Sequence, residues 1–153
     1  FVKVIRVTSA QEMFDAVTGE FPDQDIVIKA AAVADYRPRH VSNEKMKKKG
    51  DSLSIEMERT EDILKYLGEH KKPYQFLCGF SMETENVIGN SRDKLAKKHL
   101  DMIVANNLRE PGAGFEANTN VVTLITQDEE ISLDLMSKEE VAVHILDRIM
   151  SNP

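Results

Sequence analysis

An α/β domain, built as a three-layer, Rossmann-like, largely parallel sheet with a C-terminal antiparallel hairpin, is the fold class that this sequence predicts, on three observations. Apolar strand-like runs alternate with amphipathic helical runs along most of the chain. One of these runs, residues 25–35, is nearly unbroken in apolar residues, as a central strand covered on both faces should be. The last two strand candidates are separated only by residues 127–129, a spacing that favours an antiparallel hairpin.

Each element has its own signal. Val2, Val4, Ile5 and Val7 mark residues 1–7 as a strand, and a Thr/Ser start followed by Met13, Phe14 and Val17 at helical spacing marks a helix. Pro22 and Asp23 punctuate the turn before the strand over 25–35. Residues 53–59 alternate with period two and read as a strand or as one edge of a hairpin. Thr60 is placed to cap the next helix, with Glu61 and Asp62 in its first turn and Ile63, Leu64 and Leu67 as its buried stripe. A strand over 74–82, a helix over 85–100 and a short strand over 101–107 follow. Pro111, Gly112 and Gly114 mark a long turn. Strands over 120–126 and 129–137 and a helix over 138–150 complete the series. No repeat, low-complexity tract or linker appears, so one domain is expected over residues 1–153. The chain opens at Phe1 inside a strand pattern, so it is expected to start partway through a larger domain.

Composition removes several function classes. A formal charge of -6 argues against a general nucleic-acid or membrane binder. Cys78 is the only cysteine, which leaves no disulfide framework or cysteine-based metal site and fits a reducing cytoplasm. Its mid-strand position reads as core, not nucleophile. His40, His70, His99 and His144 show no ligand spacing. No apolar stretch approaches the ~20 residues that span a bilayer.

The chemistry is sought beyond the carboxyl ends of the strands, where open parallel sheets bind ligands. Those ends are polar: Asp35, Tyr36 and Arg37 after one strand, Glu83 and Thr84 after the next, Asn106 and Asn107 after the third. From Arg37 to Lys49, six basic residues face one acid, a local charge of +5 in an acidic chain. A solvated loop is one reading. A polyphosphate clamp is the other, favoured by Gly50, which lets the loop bend, and by a second basic set, Lys94, Lys97 and Lys98, of which 94 and 98 share a helix face. Asp35 can hold Mg2+, receive a ribose hydroxyl, or serve as a turn residue. Glu61 and Asp62 complement a helix dipole without any ligand.

The segments "AAVADYRP", "KMKKK", "GFSMET", "DKLAKKHLDMIVANN" and "GFEANTN", in that order and spacing, resemble phosphopantothenoylcysteine synthetase of the bacterial, CTP-using kind. The resemblance runs from Phe1 to near the C-terminus and implies the C-terminal portion of one such domain, without the family's N-terminal segment. It implies a cytoplasmic ligase of coenzyme A biosynthesis that joins 4'-phosphopantothenate to cysteine through an acyl-cytidylate, with CTP as co-substrate and Mg2+. It also implies a homodimer, with the terminal hairpin as the place to look for contact, fused to or associated with a phosphopantothenoylcysteine decarboxylase. By the same resemblance Lys45, at the head of K-x-K-K, is the essential catalytic lysine. Nucleotide contacts fall on Ala30, Ala31, Asp35, Lys45, Phe80, Lys94 and Lys98, and on Glu61, Asp62, Ile63 and Leu64. That last segment reads T-E-D-I where the family has N-P-D-I, and "SMET" replaces A-A-E-T. A non-catalytic nucleotide-binding or regulatory module of the same fold is the alternative, and an RNA-binding loop over 37–49 is disfavoured by the 6% aromatic content without Trp.

Overall fold

The computed structural model describes residues 1–48, 50, 52–109, 111 and 118–151. Along the chain they form α1 (Ala10–Glu20), a 3-10 turn (Phe21–Asp23), β1 (Ile26–Lys29), β2 (Tyr36–Pro38), β3 (Met57–Arg59), α2 (Ile63–His70), β4 (Phe76–Glu83) and α3 (Val87–Lys97). There follow β5 (Met102–Asn107), β6 (Thr119–Asn120), β7 (Val122–Ile125), β8 (Glu130–Ser132), β9 (Met136–Ser137) and α4 (Lys138–Met150).

The first and last helices start where capping boxes dictate. Ser9 accepts from the backbone N–H of Glu12 while the Glu12 carboxylate reaches back, and Ser137 and Glu140 repeat the arrangement. The main sheet has the order β1-β4-β5-β7-β8. β1, β4 and β5 are parallel, and β7 and β8 add the expected antiparallel hairpin. On one face, α1, α2 and α3 pack Phe14, Leu64, Leu67 and Leu95 over Leu77, Ile103 and Ala105. On the other face, α4 packs Val141, Ile145 and Ile149 over Cys78, Met102, Val104 and Leu124. The domain is thus three layers, and each fully buried Leu or Ile contributes roughly 1.5–3 kcal/mol.

Several expectations need correction. Residues 1–7 form no strand. A strand exists only where a neighbour takes its N–H and C=O groups, and these residues lie across an apolar groove of about 620 Å³ from β1, with Ile5 and Val7 along the wall. The run over 25–35 yields only the four residues of β1, and β1 is an edge of the described sheet, with Ile26 and Ile28 42% and 38% exposed. Of 53–59 only β3 is strand, held by β2 in a separate ribbon. Thr60 does not cap α2. Its hydroxyl donates to the Ala34 carbonyl at 2.5 Å, and Asp62 is the cap, accepting from the Lys65 N–H at 3.0 Å. The helix expected over 85–100 is shortened at both ends to α3. Gly50 takes a left-handed φ of 75°, as a bend there requires, whereas Lys49, Gly112 and Gly114 lie outside the described residues.

Cys78 is core, as its position implied. Burial first, and the Asp101 carboxylate second, push its thiol up to about 12, so it stays protonated and inert. A thiol-specific disulfide reagent at about pH 8 is expected to leave the folded protein unlabelled and to react at once on unfolding. Labelling of the native protein at a free-cysteine rate would show that β4 opens locally. The unfolded thiol ionises near 9 and the folded one near 12, so this contribution to stability is complete below pH 9 and disappears as pH rises between those values.

Candidate functional site

The parallel strands β1, β4 and β5 end together, and the two faces of that edge carry different chemistry. Strand alternation sends Phe80, Met82 and Asn106 toward α4, where Met82 and Asn106 are register neighbours. With Ala30, Ala31 and Asn120 they line a cavity of about 270 Å³. The alanines that follow β1 keep this space open because nothing larger than a methyl projects from them. Asn106 Oδ1 is buried and makes no hydrogen bond, the only such side-chain oxygen or nitrogen among the described residues. An orphaned buried acceptor costs roughly 1–3 kcal/mol, and a donor supplied by a ligand would relieve it.

On the opposite face the edge is charged. Lys29 lies beside Gly79 in the β1–β4 register and shares its face with Val27, which packs into the core under α2. Asp62 receives Lys98 Nζ at 2.9 Å while it caps α2. Thr60 N–H donates to the Asp35 carbonyl at 2.9 Å, tying the segment after β1 to the start of α2. Burial lowers the affinity of Lys29 for its proton, and the Lys98 charge lowers it further, partly offset by Asp62 and Asp35. Burial works to raise the Asp62 carboxyl, yet the Lys65 N–H, Lys98 and Lys29 together hold it below the usual carboxylate range.

The structure therefore gathers some of the residues singled out in the sequence and scatters others. Ala30, Ala31 and Phe80 line the cavity, and Asp35, Asp62 and Lys98 share the charged face. Lys94 does not join Lys98. It reaches Glu83 at the end of β4 at 2.5 Å, in a shallow recess with Asn90, Asp93 and Lys97. Ile63 and Leu64 are 2% and 5% exposed, so their side chains belong to the core. Glu61 is exposed, and Lys45 stands exposed on the loop between β2 and β3, with no described contact to Lys94 or Lys98. The basic loop is also less basic than its sequence suggested. Arg37 pairs with Glu58 at 2.9 Å and Arg39 with Glu56 at 2.5 Å across the β2–β3 ribbon. Two residues were missed as site residues. Asn106 stood among the polar strand ends without being assigned a role, and Lys29 was signalled only by a charge inside an apolar run. Among the described residues no three His, Cys, Asp or Glu side chains are grouped to hold a metal, and no helix is long and apolar enough to cross a membrane.

A sheet edge of this kind, with a cavity on one face and paired charges on the other, belongs to an α/β domain of the open-sheet class, whose ligands are generally bound at such edges. The chain belongs to the family of the DNA/pantothenate metabolism flavoprotein C-terminal domain, which it matches over residues 1–152. It is 48% identical over 146 residues to the coenzyme A biosynthesis bifunctional protein CoaBC of Bacillus subtilis (strain 168), covering 95% of this chain and 36% of that protein. It is 44% identical over 151 residues to a cysteine/cysteine sulfinic acid decarboxylase of an unknown prokaryotic organism, covering 98% of this chain and 42% of that one. Among solved structures, the C-terminal domain of a CoaBC matches with a TM-score of 0.76 at 44% identity, over 95% of this chain and 65% of that domain. The chain thus spans well under half the length of these two relatives.

These findings correct the functional expectations drawn from the resemblance. The family is described as a flavoprotein domain and one relative is a decarboxylase, while none of the names specifies a ligase, CTP or magnesium. The assignments of a phosphopantothenate–cysteine ligase, of an acyl-cytidylate intermediate with Lys45 as its catalytic lysine, of CTP and cysteine as substrates and of Mg2+ as cofactor are withdrawn, as is the nucleotide-binding module offered in their place. Lys45 stands exposed on its loop, and Lys94 and Lys98 are each paired with a carboxylate, Glu83 and Asp62. A flavin does not fit the described edge either. The cavity of about 270 Å³ falls below the ~300–1,000 Å³ typical of cofactor sites, and Phe80 is the one aromatic among its lining residues.

Proposed function

We propose that this chain is a ligand-holding module of coenzyme A biosynthesis, which binds a phosphorylated pantothenate-type compound at the carboxyl edge of β1, β4 and β5 and works in association with a decarboxylase of the same pathway. The observation that carries the reading is the unsatisfied Asn106 Oδ1 in a residue lining the strand-end cavity. A pantothenate arm bears the amide N–H and hydroxyl donors that such an acceptor needs. Ala30, Ala31 and Phe80 supply apolar walls for the arm, and Lys98, on the other face of the same strand-end edge, is the cation proposed for its phosphate, with Asp62 and Asp35 as the acids that hold the basic groups of that face. Lys94, paired with Glu83, stands apart from that contact. Lys45, exposed on its loop, acts through long-range attraction of the anion. The relatives' association with coenzyme A biosynthesis and the pantothenate-metabolism family support this choice of ligand class.

Isothermal titration with pantothenate and with its phosphate monoester tests the proposal. The phosphorylated compound is expected to bind about 10-fold more tightly at low ionic strength, because a charge-assisted hydrogen bond contributes roughly 1.5–3 kcal/mol. Added salt should narrow the difference. Equal affinity for the two compounds, or no binding of either, would overturn it.

A further inference from the structure

We infer that the groove between residues 1–7 and β1 is a docking surface for an apolar, strand-forming stretch of polypeptide, which extends the main sheet beyond β1. The inference is independent of the ligand proposed above.

β1 has the composition of an interior strand and the position of an edge strand. It is joined in parallel to β4 on one side, and no described strand takes the backbone groups of its other side. Parallel strands are normally covered on both faces. Yet Ile26 and Ile28, which alternate with the core residue Val27, are exposed along the groove. The facing wall is of the same kind. Residues 1–7 are rich in the β-branched residues that strands favour, and Val2, Val4, Ile5 and Val7 are all exposed. Their place is fixed by α1 at two points. Lys3 Nζ pairs with Glu20 Oε1 at 2.6 Å, and the Thr8 N–H donates to Glu12 Oε2 at 2.6 Å. Met13, Ala16 and Val17 of the same helix line the groove between the walls. Two strand-like walls beside a helix, enclosing about 620 Å³, are the seat that a β-strand requires. A helix laid there could cover the isoleucines, but its own backbone is already bonded, so the edge groups of β1 would stay in water. A strand takes those groups and covers the same side chains. A source for it exists among the relatives. The solved CoaBC C-terminal domain matches over 95% of this chain, while this chain covers 65% of that domain, so about a third of that domain is further polypeptide beside the shared core.

A chimera in which this chain replaces its counterpart in that CoaBC domain, compared with this chain alone by amide hydrogen exchange, tests the inference. The amides of residues 2–7 and of Ile26–Lys29 are expected to exchange about 100-fold more slowly in the chimera, because an added strand makes their opening part of a larger cooperative unit. Ile28→Lys places a charge on an exposed position of this chain alone and a buried one of the chimera. It is therefore expected to move the midpoint of the chain by under ~2 °C and to lower that of the chimera by ~5 °C or more. Val143→Lys, at an exposed position of α4 away from the groove, should leave both midpoints within ~2 °C. Should the chimera not fold, the part of the CoaBC domain outside the match, titrated into this chain as a separate polypeptide, gives the same exchange readout. Equal exchange of these amides with and without the added polypeptide overturns the inference, as does an Ile28→Lys effect no larger in the chimera than in the chain. Sedimentation of this chain alone reads the remaining occupant. Self-association that slows the same amides would give the groove to a second copy and overturn the assignment to further polypeptide of the same domain.

Discussion

Gly68→Ala is expected to lower the thermal midpoint by roughly 6–12 °C, a loss of about 3 kcal/mol, although alanine is the better helix former. Gly68 sits inside α2, where glycine alone sacrifices about 1 kcal/mol relative to alanine. The reason it stands there lies on the neighbouring helix. A Cβ at Gly68 would fall 1.7 Å from the Lys98 carbonyl oxygen and 2.8 Å from its carbon. Those are backbone atoms, placed by the end of α3, where His99 reverses the chain at a φ of 52°. No side-chain rotation can absorb the contact, so α2 and the end of α3 must separate. The propensity gain is outweighed by the packing loss. Separation would also carry Lys98 away from Asp62, so the variant should lose ligand affinity even at temperatures where it remains folded. Thermal unfolding followed by circular dichroism checks the first effect. A midpoint within ~2 °C of wild type, under 1 kcal/mol at this size, would mean that the close approach of the two helices is not required.

That contact illustrates which parts of the molecule could be read in advance. Local signals sufficed for α1 and α4, because the capping Ser9 and Ser137 each find their glutamate three residues on, and no distant residue is consulted. They sufficed for β4 and β5, which are apolar throughout because both faces are covered, and for the β7–β8 hairpin. Where a strand depends on a partner, the local signal misleads. Residues 1–7 are rich in β-branched residues, as a strand is, and form no strand, and 30–34 continue the apolar run without joining the ladder. The charge of the 37–49 loop misled for a similar reason. Glu56 and Glu58, counted with another segment, lie opposite Arg39 and Arg37 once β2 and β3 pair.

The site was legible as a place more than as a set of roles. The rule that ligands gather at the carboxyl ends of parallel strands led to Asp35, Glu83 and Asn106, and all three stand at that edge. What each lysine does there was not legible. Lys94 and Lys98, four apart, were expected to work together, but each is claimed by a different carboxylate, Glu83 and Asp62, from a different element. The motif resemblance reached the right family of coenzyme A proteins and, by the names its members carry, the wrong reaction.

Asn106→Leu is expected to separate stability from binding, raising the midpoint of the ligand-free protein while removing most of its affinity. The unsatisfied Oδ1 penalises the folded state by roughly 1–3 kcal/mol, and leucine of similar volume removes that penalty in a cavity already walled by Phe80, Val122 and Ile145. A gain of about 2 kcal/mol corresponds to roughly 4–8 °C at this chain length. The same change deletes the acceptor proposed for the pantothenate arm and leaves a ligand donor buried without a partner, which should weaken binding by about 10-fold to 100-fold. Opposite signs in the two measurements are the signature of a site that keeps a polar group unsatisfied for its ligand. A purely structural asparagine, satisfied by an ordered water, gives a lower midpoint in Asn106→Leu, and a binding loss that accompanied such a fall would carry no information about the ligand. Calorimetric melting and titration of the same preparation distinguish the two, and a lowered midpoint would remove Asn106 from the proposed site.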